Sequence, residues 1–149
     1  MILPKELISI FARIKELSTK RFNSNGILTH SFSGSVQTKV ILSNEIHFNE
    51  FIHWENESSL LTNSRNTYRW MFCNSGNIKL EHLRFGKDNP VFLVELFPSG
   101  KNEWSSIQPH NCNDDLYYAE LKLENNNIIL SWNVKGPTEN YRLKTRYFQ

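Results

Sequence analysis

The sequence has only two cysteines in 149 residues, Cys73 and Cys112, and they form no CxxC pair. That excludes a zinc ribbon and gives no disulfide framework, so both are read as reduced thiols. No run of about 18 apolar residues occurs, which excludes a membrane-spanning helix. Lys5 and Glu6 interrupt the first hydrophobic residues, and Arg13, Lys15 and Glu16 follow, so no signal peptide is expected and a cytoplasmic location is. Charge of one sign is also lacking. The 17 basic and 15 acidic side chains are interspersed and give a net charge of +2, too weak to call for nucleic acid or an anionic membrane as partner. The histidines His30, His47, His53, His82 and His110 show no HxxxH or HExxH spacing, and P-loop, GxGxxG and GxSxG motifs are absent. No metal or cofactor is therefore expected, and nucleotide hydrolysis and serine-esterase chemistry are disfavoured.

What is there describes an ordinary folded domain. A chain of this length buries roughly 70% of its unfolded surface, and 39% hydrophobic with 21% charged residues suits one domain spanning 1–149. From Pro4 to about Ser18, the residues Leu7, Ile10, Phe11, Ile14 and Leu17 recur at three- and four-residue steps. This spacing predicts one amphipathic helix over about 4–18, with Pro4 suited to its first turn. Basic residues do not dominate its polar face, so it is read as packing on the domain and not on a membrane.

After Asn23 to Gly26 the period changes from 3.6 to 2 and stays so, predicting a barrel over about 26–148. Strands are expected around Thr29 to Val40. Ile46, Phe48, Glu50, Ile52 and Trp54 share one face of a further strand. Tyr68, Trp70 and Phe72, then Ile78, Leu80, His82 and Arg84, are the inward sets of a hairpin around Asn74 to Asn77. Val91 to Phe97 is a nearly continuous apolar strand. Tyr117 to Leu123 and Ile128 to Val134 flank an asparagine turn, and Tyr141, Leu143, Thr145 and Tyr147 alternate with Arg142, Lys144 and Arg146. The fold predicted is all-β and mainly antiparallel: a single lipocalin- or calycin-like β-barrel of about 8–10 strands behind one N-terminal helix. Closure is preferred over a sandwich because a meander with short turns otherwise leaves exposed edges, and a barrel of this size holds one small ligand.

The densest polar cluster is His110, Asn111, Cys112, Asn113, Asp114, Asp115, Leu116, Tyr117. A histidine held by a carboxylate serves as general acid or base, and a thiol beside it is activatable; a strand-start turn with Asp115 capping backbone donors explains the same residues structurally. Glu50 is the one acid on an apolar strand face, where it must be paired, hydrogen-bonded or neutral, with Arg84 or Arg69 as the obvious partners. His110, Asp115 and Glu50 are thus the catalytic candidates. The inward aromatics Trp54, Tyr68, Trp70, Tyr117, Trp132, Tyr141 and Tyr147 either stack on a flat ligand or simply fill the core. On the last strand the basic and aromatic side chains lie on opposite faces, which argues for a solvated outer face and against nucleic acid.

Tyr68-Arg69-Trp70, the HxCxxDxY run from His110 to Tyr117, and the WxVxGP run from Trp132 to Pro137, followed by Tyr141, Thr145 and Tyr147, together resemble the bacterial and fungal family catalogued as domain of unknown function 6314. The resemblance covers about 11–149. It departs from the family pattern at Asn66 and Thr67, where arginines are usual, and its DGRPFH turn survives only loosely over 86–92. It implies that His110, Cys112, Asp115, Tyr117, Trp132, Gly136, Pro137, Tyr141, Thr145 and Tyr147 hold family positions, and it supplies no reaction. Three functions stay open: a barrel binding a small, partly flat ligand through Glu50, Tyr68, Trp70, Arg84, His110, Cys112, Asp115, Tyr117, Trp132 and Tyr141; a small cofactor-independent enzyme of the same fold; and an interaction domain with a packed interior.

Overall fold

The computed structural model describes residues 2–55 and 61–149, and only the backbone of residues 54, 55, 61 and 62. A short helix, α1 (Pro4–Ala12), precedes the strands. These are β1 (Glu16–Asn23), β2 (Leu28–Leu42), β3 (Glu45–Glu55), β4 (Leu61–Phe72), β5 (Ile78–His82), β6 (Val91–Gly100), β7 (Glu103–Ser106), β8 (His110–Cys112), β9 (Asp115–Glu124), β10 (Asn127–Lys135) and β11 (Asn140–Phe148). Ten of them close into an antiparallel barrel in chain order, β1 pairing with β11 and β9 with both β7 and β10. The three-residue β8 takes the upper part of the β9 edge, beyond where β7 leaves it. Closure pairs most strand edges, the benefit expected of a barrel, although the first half of β6, before Leu96, has no partner on its β7 side among the described residues.

Period-2 patterning accounts for the strands. In β3 the inward Ile46, Phe48, Glu50 and Ile52 are all buried, while outward His53 is exposed. Turn chemistry accounts for the corners. Asn125 and Asn126 both adopt positive φ (51° and 65°), the conformation of a two-residue hairpin loop that asparagine tolerates. At Gly34 on β2, a Cβ would run into the carbonyl of Phe51 on β3, so glycine permits the two strands to approach as the barrel curves.

The predicted helix is too long. It ends at Ala12, and Glu16–Asn23 is the first barrel strand, so the barrel starts near residue 16 and not 26. Ile14 and Leu17 prolong the helical spacing only because both are buried, one at the corner and one inside β1. The Ala12 carbonyl accepts from Thr38 Oγ1 at 3.0 Å, tying the helix end to β2.

The helix plugs the end of the barrel where β2 meets β3 and β4 meets β5. Its Leu7 and Phe11 are fully buried, and the Phe11 ring lies 5.2 Å from Trp70 and 4.9 Å from Phe72. Ile46, Ile78, Leu96, Leu121 and Ile128 pack around this plug. One half of the interior is thus solid core, and the other half carries the polar side chains. No helix among the described residues is long and apolar enough to cross a membrane.

Candidate functional site

Above the plug the interior opens into a cavity of about 380 Å³. Its deep end is built by Trp70, Leu80, Leu130 and Tyr147. The Tyr147 hydroxyl on β11 donates to Glu50 Oε2 on β3 at 2.6 Å, a contact that crosses the barrel. Burial pushes the Glu50 carboxyl from its ordinary 4.5 up to about 7, against the pull of the Tyr147 hydrogen bond. Burial first, then the Glu50 charge and hydrogen bond, hold Tyr147 well above its usual range. Tyr68 is raised by burial and then by Glu50, while Arg84 opposes the shift. Beside them the Thr19 and Thr145 hydroxyls hydrogen-bond each other at 2.8 Å.

Two walls rise from this floor. On one, the Tyr68 ring stands edge-on to His82 at 4.8 Å, and Arg84 follows His82 at the mouth. Burial and then the Arg84 charge lower the His82 ionisation. The other wall is a chain of rings, Trp132 to Tyr117 at 6.3 Å and Tyr117 to His110 at 6.1 Å. Tyr117 is raised first by a hydrogen bond to Tyr141 and then by burial.

The two buried tryptophans differ in one atom. Trp104 Nε1 donates to the Gly76 carbonyl at 2.9 Å, as a buried indole should. Trp70, 1% exposed and lining the cavity, has no acceptor for its Nε1 among the described residues. Leaving a buried donor unmade costs about 1–3 kcal/mol, so such a group calls for an explanation.

Glu50, Tyr68, Trp70 and Arg84 from one wall, and His110, Cys112, Tyr117 and Trp132 from the other, line this one cavity. Asp115 and Tyr141 do not. Asp115 packs its carboxylate against Gly136, in space a Cβ there would fill, and makes no hydrogen bond to His110 among the described residues. Tyr141 has inward parity but sits at the rim, in an outer groove, with Arg21 stacked 3.9 Å from its ring centre. The expected partners of Glu50 are corrected as well: Arg69 points outward and bonds Glu81 at 2.9 Å, and Tyr147 takes the carboxyl. The side chain of Trp54 lies outside the described residues. Both cysteines are free thiols, Cys112 exposed and Cys73 half-buried.

Sequence reasoning missed Thr19, Asn66 and Thr145 as lining groups, and it read Tyr147 as an inward aromatic without seeing its bond to Glu50. Thr145 shares the inward parity of Leu143 and Tyr147, a signal that was available. Thr19 was hidden by the over-extended helix.

His110–Cys112 and the start of β9 carry one motif of the resemblance, and β10 carries the other. In the barrel they pair side by side, Tyr117 opposite both His110 and Val134, so both motifs meet at the open end. A family model matches residues 15–149. The chain belongs to the family of unknown function DUF6314. The DUF6314 match takes in all eleven strands and the whole cavity lining, and leaves α1 outside. No curated protein matches the chain.

Proposed function

We propose that the protein is a small-molecule binding barrel that holds a partly flat organic ligand between the Trp132–Tyr117–His110 wall and the Tyr68–His82 wall. The observation that carries this reading is the cavity of about 380 Å³ itself, walled by Tyr68, Tyr117 and Trp132 and holding the buried Glu50 carboxyl. A packed interior leaves no such space. The volume lies within the range of small-molecule sites, about 300–1,000 Å³, and the mixture of apolar walls with a few converging polar groups is what such sites use. The ligand, and neither nucleic acid nor a bilayer, is the partner this reading requires. Free thiols at Cys73 and Cys112 accord with a reducing, cytoplasmic setting.

Glu50 supports a second reading as an enzyme. A buried carboxyl raised to about 7 is poised to exchange a proton at neutral pH. The role falls to Glu50 and not to a His110–Asp115 pair, because no hydrogen bond joins those two among the described residues.

Native mass spectrometry on the protein purified without denaturant tests the binding reading. A co-purifying small molecule that Trp70→Phe or Glu50→Gln releases is the expected result. A chain that carries nothing, with an indole NMR resonance for Trp70 that no small-molecule mixture moves, overturns it. Chemical change of the retained molecule that stops in Glu50→Gln selects the enzyme.

A further inference from the structure

Glu50 is the one acid among the described residues that line the cavity, and it pairs with no cation among them. Arg69, on the neighbouring strand β4, turns outward to Glu81. Arg84 acts on Tyr68 and His82, whereas the influence that opposes burial at Glu50 is the Tyr147 hydrogen bond. A buried carboxylate calls for a charged partner, and the described residues supply none.

Only half of the carboxyl is used. Tyr147 donates to Oε2 at 2.6 Å, and Oε1 has no hydrogen-bond partner among the described residues. Trp70 Nε1 is the one partnerless side-chain polar atom among them that is sealed from solvent, so Oε1 opens on the cavity. Around it the Thr19 and Thr145 hydroxyls satisfy each other, and burial holds Tyr68 and Tyr147 in their protonated forms. The remaining titratable lining groups, His82, Arg84, His110, Cys112 and Tyr117, are all less buried than Glu50.

Complementarity selects the group that meets Oε1. While the carboxyl keeps its proton it needs an acceptor, and once ionised it needs a donor that carries positive charge. A nitrogen base is both, an acceptor when neutral and a charged donor when protonated. A carboxylate is repelled by the ionised form, and a hydrocarbon meets neither form. A lactam pairs with the neutral form but brings no charge for the ionised one. The rest of the ligand meets the Phe32, Tyr68, Tyr117 and Trp132 rings, which suit a flat body and attract a delocalised cation.

Resting on the binding reading above, we propose that the cavity takes a flat nitrogen base, an aromatic amidine or amino-heterocycle, whose basic nitrogen meets Glu50 Oε1. The base enters neutral, and the Glu50 proton is shared with its nitrogen. Transfer of that proton leaves a carboxylate and a cation, so the pair stays neutral overall and Tyr147 keeps its hydrogen bond to Oε2. The bound pair holds one proton in all.

Calorimetric titration of the full chain with three probes of similar shape tests this class: 2-aminoquinoline, a base that titrates near neutrality; 2-quinolone, the non-basic lactam; and 2-naphthoate, an anion. 2-Aminoquinoline is expected to bind about tenfold or more tighter than 2-quinolone, with 2-naphthoate weakest. Glu50→Gln keeps an acceptor for Tyr147, lowers affinity for 2-aminoquinoline about tenfold and leaves 2-quinolone nearly unchanged. Affinity for the base peaks near pH 7 in the wild-type chain. Below the peak both partners are protonated and binding must release a proton; above it neither is, and binding must take one up. Equal affinity for the base and the lactam, or tightest binding by 2-naphthoate, overturns the class while leaving the cavity a binding site. A one-sided pH dependence, which the base alone produces, overturns the Glu50 contact even where Glu50→Gln fails to fold. Absence of binding by all three overturns the class, and the co-purification experiment judges the underlying reading separately.

Discussion

The carboxylate of Asp115, at the start of β9, occupies the space that a Cβ on Gly136, just past β10, would need. The Glu139 carbonyl crowds the same point at 2.9 Å, and the Gly136 N–H donates to that carbonyl at 3.0 Å. This one contact joins the HxCxxDxY and WxVxGP segments at the open end of the barrel. Glycine at 136 is needed here for room and not for an unusual φ.

Gly136→Ala is accordingly expected to destabilise the chain by about 1–3 kcal/mol, the usual cost of overpacking. Asp115→Ala in the same chain removes one of the two obstructions and restores part of the loss. Urea denaturation of the two single variants and the double variant measures the coupling. Additive effects would show that Asp115 and Gly136 do not share this space.

The Glu50 carboxyl makes stability pH-dependent in a direction opposite to most acids. The unfolded carboxyl releases its proton near 4.5, whereas the folded one holds it to about 7. Between those values the unfolded state sheds a proton that the native state keeps, so the contribution of Glu50 to stability is greatest below pH 4.5 and falls as pH rises to about 7. The loss is on the order of 3 kcal/mol and levels off at higher pH. Glu50→Gln keeps an acceptor for Tyr147, should flatten this slope, and should be the more stable protein above pH 7. Melting temperatures from pH 4 to 8 for the two chains decide it. Parallel curves would show that Glu50 is not desolvated.

Tyr117→Phe separates a structural from a ligand role at the mouth. The substitution keeps the ring contacts to His110 and Trp132 and removes a hydrogen bond to Tyr141, itself at the rim where water can replace it. Stability should fall by less than about 1 kcal/mol, while retention of a co-purified ligand weakens. Melting curves with and without ligand test both halves. A large drop in melting temperature with unchanged retention would make the hydroxyl purely structural.

The barrel was legible in the sequence because strands such as β3, from Ile46 to Ile52, and β11, from Tyr141 to Tyr147, alternate cleanly. Strand β1 was not. Leu17 falls three residues after Ile14 and so continues the spacing of Leu7, Phe11 and Ile14, and nothing local says that the chain turns at Arg13. Glu50 stood out as the one acid on an apolar face, but its partner did not: Tyr147 lies 97 residues away and meets it only because the barrel closes. His110 and Asp115 share a motif without sharing a contact, since the turn at Asn113 (φ 56°) and the pairing of Cys112 with Asp115 set the carboxylate toward Gly136.

Trp70 and Trp104 are both buried tryptophans on strands, and they should behave differently on substitution. Removing the Trp104 indole N–H takes the donor from the Gly76 carbonyl at a site 5% exposed, so Trp104→Phe loses both packing and a buried hydrogen bond. Removing the Trp70 N–H takes away a donor that has no acceptor among the described residues. In the ligand-free protein Trp70→Phe should therefore cost about 1–2 kcal/mol less than Trp104→Phe. Chemical denaturation of the two variants reads the difference. Equal costs would mean that the Trp70 indole N–H is satisfied in the folded protein, contrary to its lack of an acceptor among the described residues.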